Sequence, residues 1–189
     1  LIPRPDTEIL VEEVLKIADR AKTLIDVGTG SGCIPIAVAK NTKGLNFFAT
    51  DISSGALKIA KKNEKKHGVQ INFFRGNLLE PMKNKIAKAE QIIITANLPY
   101  LTEEQFNSEP SISCEPHSAL VAKDGGLDLY KKFVEQIKEI DAKVIAFFEI
   151  DPTQVSALTK FIEKNITDVE IKIKKDLARR DRILIFKKN

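Results

Sequence analysis

The chain has no tryptophan, one methionine, and only two cysteines and two histidines among its 189 residues. Cys33 and Cys114 are too few for a disulfide framework, which excludes a small disulfide-stapled secreted domain and fits a reducing, cytoplasmic location. His67 and His117 add too few ligands for a zinc cluster, so we expect no metal site. No apolar run approaches the ~20 residues that cross a bilayer, so we expect no membrane association.

Length and composition indicate one globular domain, which we place over residues 1–189, with 43% hydrophobic and 30% charged residues. The net charge of +4 permits a nucleic-acid partner without requiring one. The most lysine-rich stretch has the spacing of a solvated helix face: Lys58, Lys61, Lys62, Lys65 and Lys66. The only methionine is Met82, so we expect a fragment of a longer protein, and we expect it to be a monomer.

The centre of the chain is an apolar run that begins at Gln91, stops at Asn97 and is followed by Leu98-Pro99-Tyr100. Its length and β-branched content predict a buried strand, and ligands of open α/β sheets bind beyond the carboxyl ends of strands. Asn97 brings an amide to that position, Pro99 restrains the neighbouring carbonyls, and Tyr100 adds a flat ring. These groups could grip a planar substrate with an NH2 group. A plain strand followed by a turn is the alternative.

Upstream, residues 23–27 read as a short strand, followed by Gly28-Thr-Gly-Ser-Gly32 and a helical stretch from Cys33 to Lys40. A glycine turn between strand and helix is typical of nucleotide-binding sites. The spacing is Gly-X-Gly-X-Gly rather than the dinucleotide Gly-X-Gly-X-X-Gly, which disfavours NAD.

Two polar residues end the next strands. Asp51 follows the strand 46–50, about 20 residues after the glycine loop, where an acid accepts hydrogen bonds from ribose hydroxyls. Its alternative role is to cap the helix that begins near Ser53. Asn77 follows the strand 71–75, where its amide could bond an adenine or simply form a turn.

At the amino end, Pro3 and Pro5 are expected to exclude helix, after which Asp6 or Thr7 would cap a helix. The helix is predicted from apolar residues at helical spacing: Ile9, Leu10, Val14, Leu15 and Ile17. Capping leaves Arg4 unexplained, because a cap needs no guanidinium.

Residues 102–120 read as a long loop, the kind that often covers a substrate, and residues 124–128 precede a helix running to about Asp141. A strand, a helix and two strands joined by a short turn complete the chain. We therefore predict an α/β fold: a mostly parallel seven-stranded sheet with an antiparallel terminal strand and helices on both faces.

In its motifs the chain resembles class I S-adenosylmethionine-dependent methyltransferases with a Rossmann-like sheet, and more narrowly the HemK/PrmC family, which methylates a glutamine of peptide chain release factors. The resemblance covers nearly all of the chain. It is carried by residues 2–8 (Ile-Pro-Arg-Pro-Asp-Thr-Glu), 26–32 (Asp-Val-Gly-Thr-Gly-Ser-Gly), Asp51, 97–100 (Asn-Leu-Pro-Tyr), 115–120 (Glu-Pro-His-Ser-Ala-Leu), 125–128 (Gly-Gly-Leu-Asp) and 175–181 (Lys-Asp-Leu-Ala-Arg-Arg-Asp). The glycine loop marks only the superfamily, whereas the proline-arginine segment together with the Glu-Pro loop is far more specific.

The resemblance implies S-adenosyl-L-methionine as cofactor and S-adenosyl-L-homocysteine as its product. It implies a cofactor site in which the glycine loop holds the methionine part, Asp51 the ribose, and the turn after the third strand the adenine: Gly28, Thr29, Gly30, Ser31, Gly32, Asp51, Asn77 and Leu78, with Asn97 beside them. The implied substrate residues are Asn97, Leu98, Pro99, Tyr100 and Arg4, of which Asn97, Pro99 and Tyr100 would be catalytic.

The implied reaction is in-line methyl transfer to the amide nitrogen of the glutamine in a Gly-Gly-Gln loop. The Asn97 oxygen and a backbone carbonyl would orient that nitrogen, so no strong base is required before attack. The family also implies an amino-terminal helical domain that docks the release factor and is absent from this chain.

Two residues depart from the family pattern. Leu98 stands where the family usually has proline, but its carbonyl is present and Pro99 still restrains it, so we expect the substrate grip to survive. Asn77 stands where an acid is common, so an acceptor remains while a charge is lost, and cofactor affinity would change modestly.

Two other functions stay open. The Asn-Leu-Pro-Tyr motif is also similar to that of rRNA adenine dimethyltransferases, which lack the Arg4 segment and the Glu115 loop. A methyltransferase-like binding module without catalysis is the second, although a mere scaffold would need neither the glycine loop nor Asp51 and Asn97.

Overall fold

The structure, a computed structural model, describes residues 4–86 and 89–189. Pro3 and the start of the 2–8 motif therefore lie outside the described residues. The strands are β1 Thr23–Val27, β2 Asn46–Asp51, β3 Asn72–Arg75, β4 Gln91–Ala96, β5 Lys143–Glu149, β6 Val169–Lys175 and β7 Asp181–Lys188. They form one sheet in the order β3-β2-β1-β4-β5-β7-β6, in which β7 runs antiparallel to both β5 and β6. The predicted fold class is confirmed.

The α-helical segments are α1 Pro5–Leu15, α2 Cys33–Asn41, α3 Ser54–His67, α4 Lys83–Ile86, α5 Glu103–Ser108, α6 Lys123–Gly126, α7 Asp128–Lys138 and α8 Val155–Asn165. Single 3-10 turns occur at Ala18–Arg20, Glu80–Met82, Pro110–Ile112, His117–Ala119 and Pro152–Gln154. Within the described ranges, no helix combines the length and apolarity needed to cross a bilayer.

The central strand β4 is buried on both faces, as its isoleucine run predicts. Ile92 and Ile94 belong to the core layer that includes residues of α7 and α8. Ile93, between them, belongs to the opposite layer with residues of α1 and α2. Alternation of side chains along a strand produces this division. Helices therefore cover both faces and leave the carboxyl ends of the strands to carry the polar residues.

The amino-terminal helix begins earlier than the two prolines predict. Helix α1 starts at Pro5, and Arg4 occupies the N-cap position with φ −97° and ψ 151°. Proline is tolerated at the first helical position because its missing N–H would have no intrahelical acceptor there. The prediction that Asp6 or Thr7 caps the helix is therefore wrong, and the Thr7 hydroxyl is available for another partner.

The segment 102–120 is more ordered than a long loop. Thr102 and Gln105 form a reciprocal capping box that starts helix α5, and Ile112 in the following 3-10 turn is 4% exposed. Helices this short leave little periodicity in a sequence, so the pattern was too weak to predict them. Elsewhere the predicted strands are confirmed to within about two residues, and α7 ends at Lys138 rather than near Asp141.

The aromatic core offers a direct test of the packing. Phe148 is fully buried, with ring centroids 4.9 Å from Tyr130, 5.2 Å from Phe133 and 5.3 Å from Phe186. We expect Phe148→Ala to lower the free energy of unfolding by about 3–5 kcal/mol in urea denaturation, because a large cavity would remain. Leu177→Ala, at a side chain that is 96% exposed, is the control and should change it by less than about 0.5 kcal/mol. Equal effects of the two substitutions would contradict this packing.

Candidate active site

Two loops leave the sheet side by side at the point where the strand order reverses. Val27 and Ala96, the last residues of β1 and β4, are paired in the sheet, so the glycine loop and the Asn97 turn start at the same edge. Ligands of α/β sheets bind at such a switch point. The loops also touch, since a Cβ placed on Gly28 would lie 2.7 Å from Leu98 Cδ2. Gly28 therefore allows the Asn97 turn to approach the glycine loop closely.

Both loops line one cavity of about 420 Å³, a volume within the usual range for a small-molecule site. The predicted site residues that line it are Arg4, Gly28, Thr29, Gly30, Ser31, Asn97, Leu98, Pro99 and Tyr100. Those that do not line it are Gly32, Asp51, Asn77 and Leu78. The structure thus brings the predicted substrate residues together with most of the glycine loop.

Three hydrogen bonds fix the backbone of the Asn97 turn. The Leu98 N–H donates to the Tyr130 hydroxyl at 3.1 Å, and that hydroxyl in turn donates to the Glu149 backbone carbonyl. The Tyr100 carbonyl accepts from the Gln154 amide at 2.6 Å. The Leu101 N–H donates to the Leu120 carbonyl at 2.9 Å. The turn is therefore held at both ends, and the direction of the Tyr100 carbonyl is fixed.

Close packing around Gly126 accounts for the second glycine of the pair that precedes α7. Its φ is +82°, and a Cβ there would overlap the Tyr100 carbonyl and the Gln154 amide nitrogen. Gln154 also donates to the Gly125 carbonyl at 2.9 Å, which joins the glycine pair to the Asn97 turn. The close approach requires glycine at position 126.

A chain of polar side chains supports Asn97. The Asn97 amide nitrogen lies 3.2 Å from Thr7 Oγ1, and the Thr7 hydroxyl donates to Glu149 Oε2 at 2.7 Å. The Tyr100 hydroxyl lies 3.4 Å from the other carboxylate oxygen, Oε1. Glu149 is 1% exposed, and burial raises the pKa of its carboxyl above the ordinary value.

The glycine loop is fixed to the end of β2. The N–H groups of Gly28 and Thr29 donate to the Thr50 carbonyl at 2.9 and 3.0 Å. The Gly30 N–H donates to Asp51 Oδ2 at 2.8 Å, and the Ser53 N–H donates to Oδ1 at 2.8 Å. Asp51 therefore adjoins the cavity through Gly30. The predicted helix-capping role falls instead to Ser53, whose side chain accepts from the third residue after it.

The residues predicted to contact adenine lie apart from the cavity. Asn77 lines a separate cavity beside α7, of about 740 Å³, and its amide donates to Glu80 Oε1 at 3.3 Å. Leu78 has a φ of 50° and is 7% exposed within the core. The Gly76 N–H donates to the Asp51 carbonyl at 3.1 Å, which keeps this turn beside β2. The adenine roles of Asn77 and Leu78 stay predictions.

Arg4 connects the amino end to the wall of the cavity. Its guanidinium lies 2.8 Å from Glu115 Oε1, and the two residues are 111 positions apart. The two most specific motifs of the sequence, the proline-arginine segment and the Glu-Pro loop, are therefore in direct contact. Residues of the 102–120 segment, including Gln105, Ile112 and Leu120, form the adjoining wall.

Asp26 lies under the glycine loop at the end of β1 and is 1% exposed. Burial raises the pKa of its carboxyl to about 7, although the Thr95 hydroxyl donates to Oδ1 at 2.7 Å. Among the described residues, no hydrogen-bond partner is present for Oδ2. Positive charge brought by a ligand at this end of the sheet would favour the ionised form of Asp26.

These features fit S-adenosyl-L-methionine. Asp51 could accept hydrogen bonds from the ribose hydroxyls, and a Cβ on Gly30 would meet no atom within 4 Å, so the loop is open to a ligand there. Gly28, Thr29, Gly30 and Ser31 line the cavity. A ligand with an ammonium and a sulfonium group would favour the ionised form of Asp26, which lies two residues before Gly28 in the chain.

Sequence reasoning did not predict the supporting roles of five residues, although the first two lie within motifs that it named: Thr7, Asp26, Tyr130, Glu149 and Gln154. One signal was available for Glu149. It ends the apolar strand β5 as Asp51 ends β2, and polar residues at the carboxyl ends of parallel strands collect at one edge. Thr7 carried no such signal, because a threonine in a first helical turn reads as a cap.

Solved structures place the fold among known methyltransferases. The chain aligns with the ribosomal protein L11 methylase of Lactobacillus delbrueckii subsp. bulgaricus with a TM-score of 0.66 and 21% identity, covering 98% of this chain and 80% of that one. It aligns with the N-terminal domain of human METTL16, solved in complex with SAH, with a TM-score of 0.66 and 17% identity, covering 100% of this chain and 72% of that one. The fold is that of a class I S-adenosylmethionine-dependent methyltransferase.

Sequence comparison is more specific. Residues 5–109 match the family model of the methyltransferase small domain. The release factor glutamine methyltransferase of Staphylococcus aureus is 36% identical over 99% of this chain and 68% of its own length. That of Bacillus subtilis is 37% identical over 97% of this chain and 66% of its own length. The chain belongs to the release factor glutamine methyltransferase family and spans about two thirds of the length of these relatives.

The contact at Gly126 yields a prediction about stability. We expect Gly126→Ala to lower the free energy of unfolding by at least about 1 kcal/mol more than Gly125→Ala does, because only the former displaces the Gln154–Tyr100 hydrogen bond. Gly125 is a matched control, with a φ of +63° and no atom within 4 Å of an added Cβ. Urea denaturation measures both. Equal losses would mean that backbone strain alone is responsible.

The raised pKa of Asp26 predicts a pH dependence of stability. Between about pH 4 and pH 7 the unfolded chain releases the Asp26 proton while the folded protein keeps it. The stability that Asp26 contributes is thus complete at low pH and is lost as the pH rises toward 7. We expect the free energy of unfolding of the unmodified protein to fall relative to that of Asp26→Asn, by at most about 1.4 kcal/mol per pH unit.

Urea titrations of both proteins without cofactor, at steps from pH 4 to pH 8, measure this difference. Asp19→Asn, at an exposed aspartate, shows what the same substitution does on the surface. A difference between the unmodified protein and Asp26→Asn that stays constant with pH would contradict the raised pKa.

Proposed function

We propose that this chain transfers a methyl group from S-adenosyl-L-methionine to the side-chain amide nitrogen of a glutamine in a peptide chain release factor, the residue of its Gly-Gly-Gln loop. The observation that carries the proposal is the contact between the glycine loop and the Asn97 turn, which line the same 420 Å³ cavity. The relatives that match this chain over nearly its whole length are named for this reaction.

On the cofactor side, Gly28, Thr29, Gly30, Ser31 and Gly32 form the loop that would hold the methionine part, with Asp51 at the ribose. S-adenosyl-L-methionine, when bound, supplies an electrophilic methyl group on its sulfonium. Gly30 connects the two groups of residues, because its N–H already bonds the Asp51 carboxylate. The loop that holds the cofactor is thus fixed relative to the residue proposed to hold the ribose.

On the substrate side, Asn97 and the backbone of the turn act on the glutamine amide. An amide nitrogen is a poor nucleophile because its lone pair is delocalised into the carbonyl. The Asn97 side-chain oxygen and the Leu98 carbonyl would each accept one N–H of the glutamine, which orients the nitrogen and stabilises the positive charge it gains. Pro99 and Tyr100 would shape the rest of this subsite. No strong base is needed, because the methylated nitrogen sheds its proton readily.

The environment of Leu98 supports a substrate contact through its backbone, although the family usually has proline at this position. Its side chain is 4% exposed and packs on Gly28. Its N–H bonds Tyr130, so the residue presents its backbone rather than its side chain to a substrate.

The remaining proposals concern the molecule as a whole. Residues 1–189 form one methyltransferase domain that acts as a monomer in the cytoplasm, with no need to bind nucleic acid directly. Arg4, half-exposed at the rim of the cavity, contacts the release factor or holds the Glu115 loop against it.

Asn97→Ala tests the substrate role. We expect kcat to fall by roughly 100- to 1,000-fold, because the acceptor that orients the glutamine is removed. Cofactor affinity, measured by calorimetry, should stay nearly unchanged. Asn46→Ala, at an exposed asparagine of β2, is the control for folding and should retain activity. An Asn97→Ala variant that keeps most of its turnover would refute the role of Asn97.

The substrate itself is tested by competition. The protein encoded by the complete open reading frame is incubated with methyl-labelled S-adenosyl-L-methionine, purified release factor and ribosomal RNA. Mass spectrometry then locates the label. We expect it on the release factor glutamine. Label on an RNA adenine would overturn the proposal and assign the Asn97 turn to a base pocket. Absence of cofactor binding would indicate a module without catalysis.

A further inference from the structure

Two buried residues, Thr7 of α1 and Glu149 of β5, stand behind Asn97 at the edge of the cavity. Thr7 is 5% exposed and Glu149 is 1% exposed, and their side chains are bonded although the residues are 142 positions apart. Burying polar side chains lowers the stability of the fold unless the buried groups form hydrogen bonds with one another, as these two residues do. Their position next to Asn97 indicates that they act on the orientation of its amide.

The orientation follows from counting protons. A threonine hydroxyl has one proton to donate, and a carboxylate can only accept. With Glu149 ionised, the Thr7 proton belongs to the 2.7 Å bond with Glu149 Oε2, which is charge-assisted and the stronger of the two bonds that the Thr7 hydroxyl makes. Toward Asn97, 3.2 Å away, Thr7 can only accept. The Asn97 group that faces Thr7 must accordingly be the NH2 group.

We propose that Thr7 and Glu149 are positioning residues that fix the Asn97 amide with its NH2 group toward Thr7 and its oxygen toward the substrate. This inference rests on the proposed function, since only a substrate with N–H groups needs an oxygen there. Either orientation of an asparagine amide has nearly the same shape, so packing alone would not select one. The ionised Glu149 carboxylate selects it through the single Thr7 proton.

The charge on Glu149 depends on groups from several elements. From α1, the Thr7 hydroxyl donates to it, while Asp6 brings a second negative charge nearby. From the turn, the Tyr100 hydroxyl lies 3.4 Å away. From β7, Arg182 brings a positive charge, and it also lies 3.4 Å from Asp6. Burial and Asp6 favour the neutral acid, whereas Arg182 and the two hydroxyls favour the carboxylate.

Protonation of Glu149 would remove the selection. A protonated carboxyl can donate to Thr7, and the Thr7 hydroxyl is then free to donate to the Asn97 oxygen. That reversal turns the NH2 group of Asn97 toward the substrate, where it opposes the N–H groups of glutamine. The proposal thus predicts that kcat falls on the acid side as Glu149 gains a proton.

The test compares Thr7→Val with Thr7→Ser. Valine keeps the shape of threonine but has no hydroxyl, whereas serine keeps the hydroxyl, and circular dichroism and denaturation verify folding. In Thr7→Val we expect kcat to fall by roughly 10- to 100-fold while KM for the release factor and cofactor affinity stay close to those of the unmodified enzyme. Thr7→Ser should restore most of kcat. Full kcat in a folded Thr7→Val variant overturns the proposal.

A double substitution shows whether Thr7 acts through Asn97. If it does, Thr7→Val should have no further effect on kcat in the Asn97→Ala background. Independent, multiplying losses would mean that Thr7 has only a structural role. The unmodified enzyme, measured beside the variants, separates the two claims. If it does not methylate the release factor, the proposed function itself fails. If it is active and the losses in kcat multiply, only the positioning role is refuted.

Glu149→Gln supplies a second readout. The glutamine amide keeps the size of the side chain but cannot gain or lose a proton in this range. We therefore expect the fall of kcat on the acid side to disappear in Glu149→Gln. We also expect kcat of this variant at neutral pH to be lower than that of the unmodified enzyme. An acid-side fall that is identical in the two proteins would assign that titration to another group and contradict the positioning role of Glu149.

Discussion

The buried carboxylate of Glu149 is the constraint on which the site depends. A carboxyl group that is 1% exposed is tolerated in its ionised form only if neighbouring groups compensate for its lost hydration. Its compensation comes from separate parts of the chain: the Thr7 hydroxyl of α1, the Tyr100 hydroxyl of the Asn97 turn, and the positive charge of Arg182 on β7. The backbone carbonyl of the same residue accepts from Tyr130, which holds the Leu98 N–H. Displacing any of these elements would leave a buried polar group without its partner.

This arrangement connects the fold to the chemistry. The sheet places the ends of β1 and β4 side by side, so the glycine loop and the Asn97 turn touch at Gly28 and Leu98. Hydrogen bonds from Tyr130 and Gln154 then fix the turn, and the close approach at Gly126 makes the second of these bonds possible. A reaction on a weak nucleophile relies on such fixed acceptors more than on a strong base.

The sequence predicted whatever depended on local pattern. The sheet and most of the cavity were predicted from the isoleucine run of β4, the glycine turn before α2, Asp51 at the end of β2 and Asn97 directly after β4. It could not predict contacts between distant segments, such as Arg4 with Glu115 or Thr7 with Glu149, because hydrogen bonds between residues more than 100 positions apart leave no periodicity. The start of α1 was also predicted wrongly, because proline disrupts the interior of a helix but is tolerated at the first helical position.

The direct measurement of the central claim is neutron diffraction from deuterium-exchanged crystals at neutral pH, which shows the exchangeable hydrogens that X-rays at ordinary resolution leave to inference. The account predicts the Thr7 hydroxyl deuterium on the line to Glu149 Oε2, and one deuterium of the Asn97 amide directed at Thr7 Oγ1. A Thr7 deuterium directed at the Asn97 side chain, with the Asn97 oxygen facing Thr7, would contradict it.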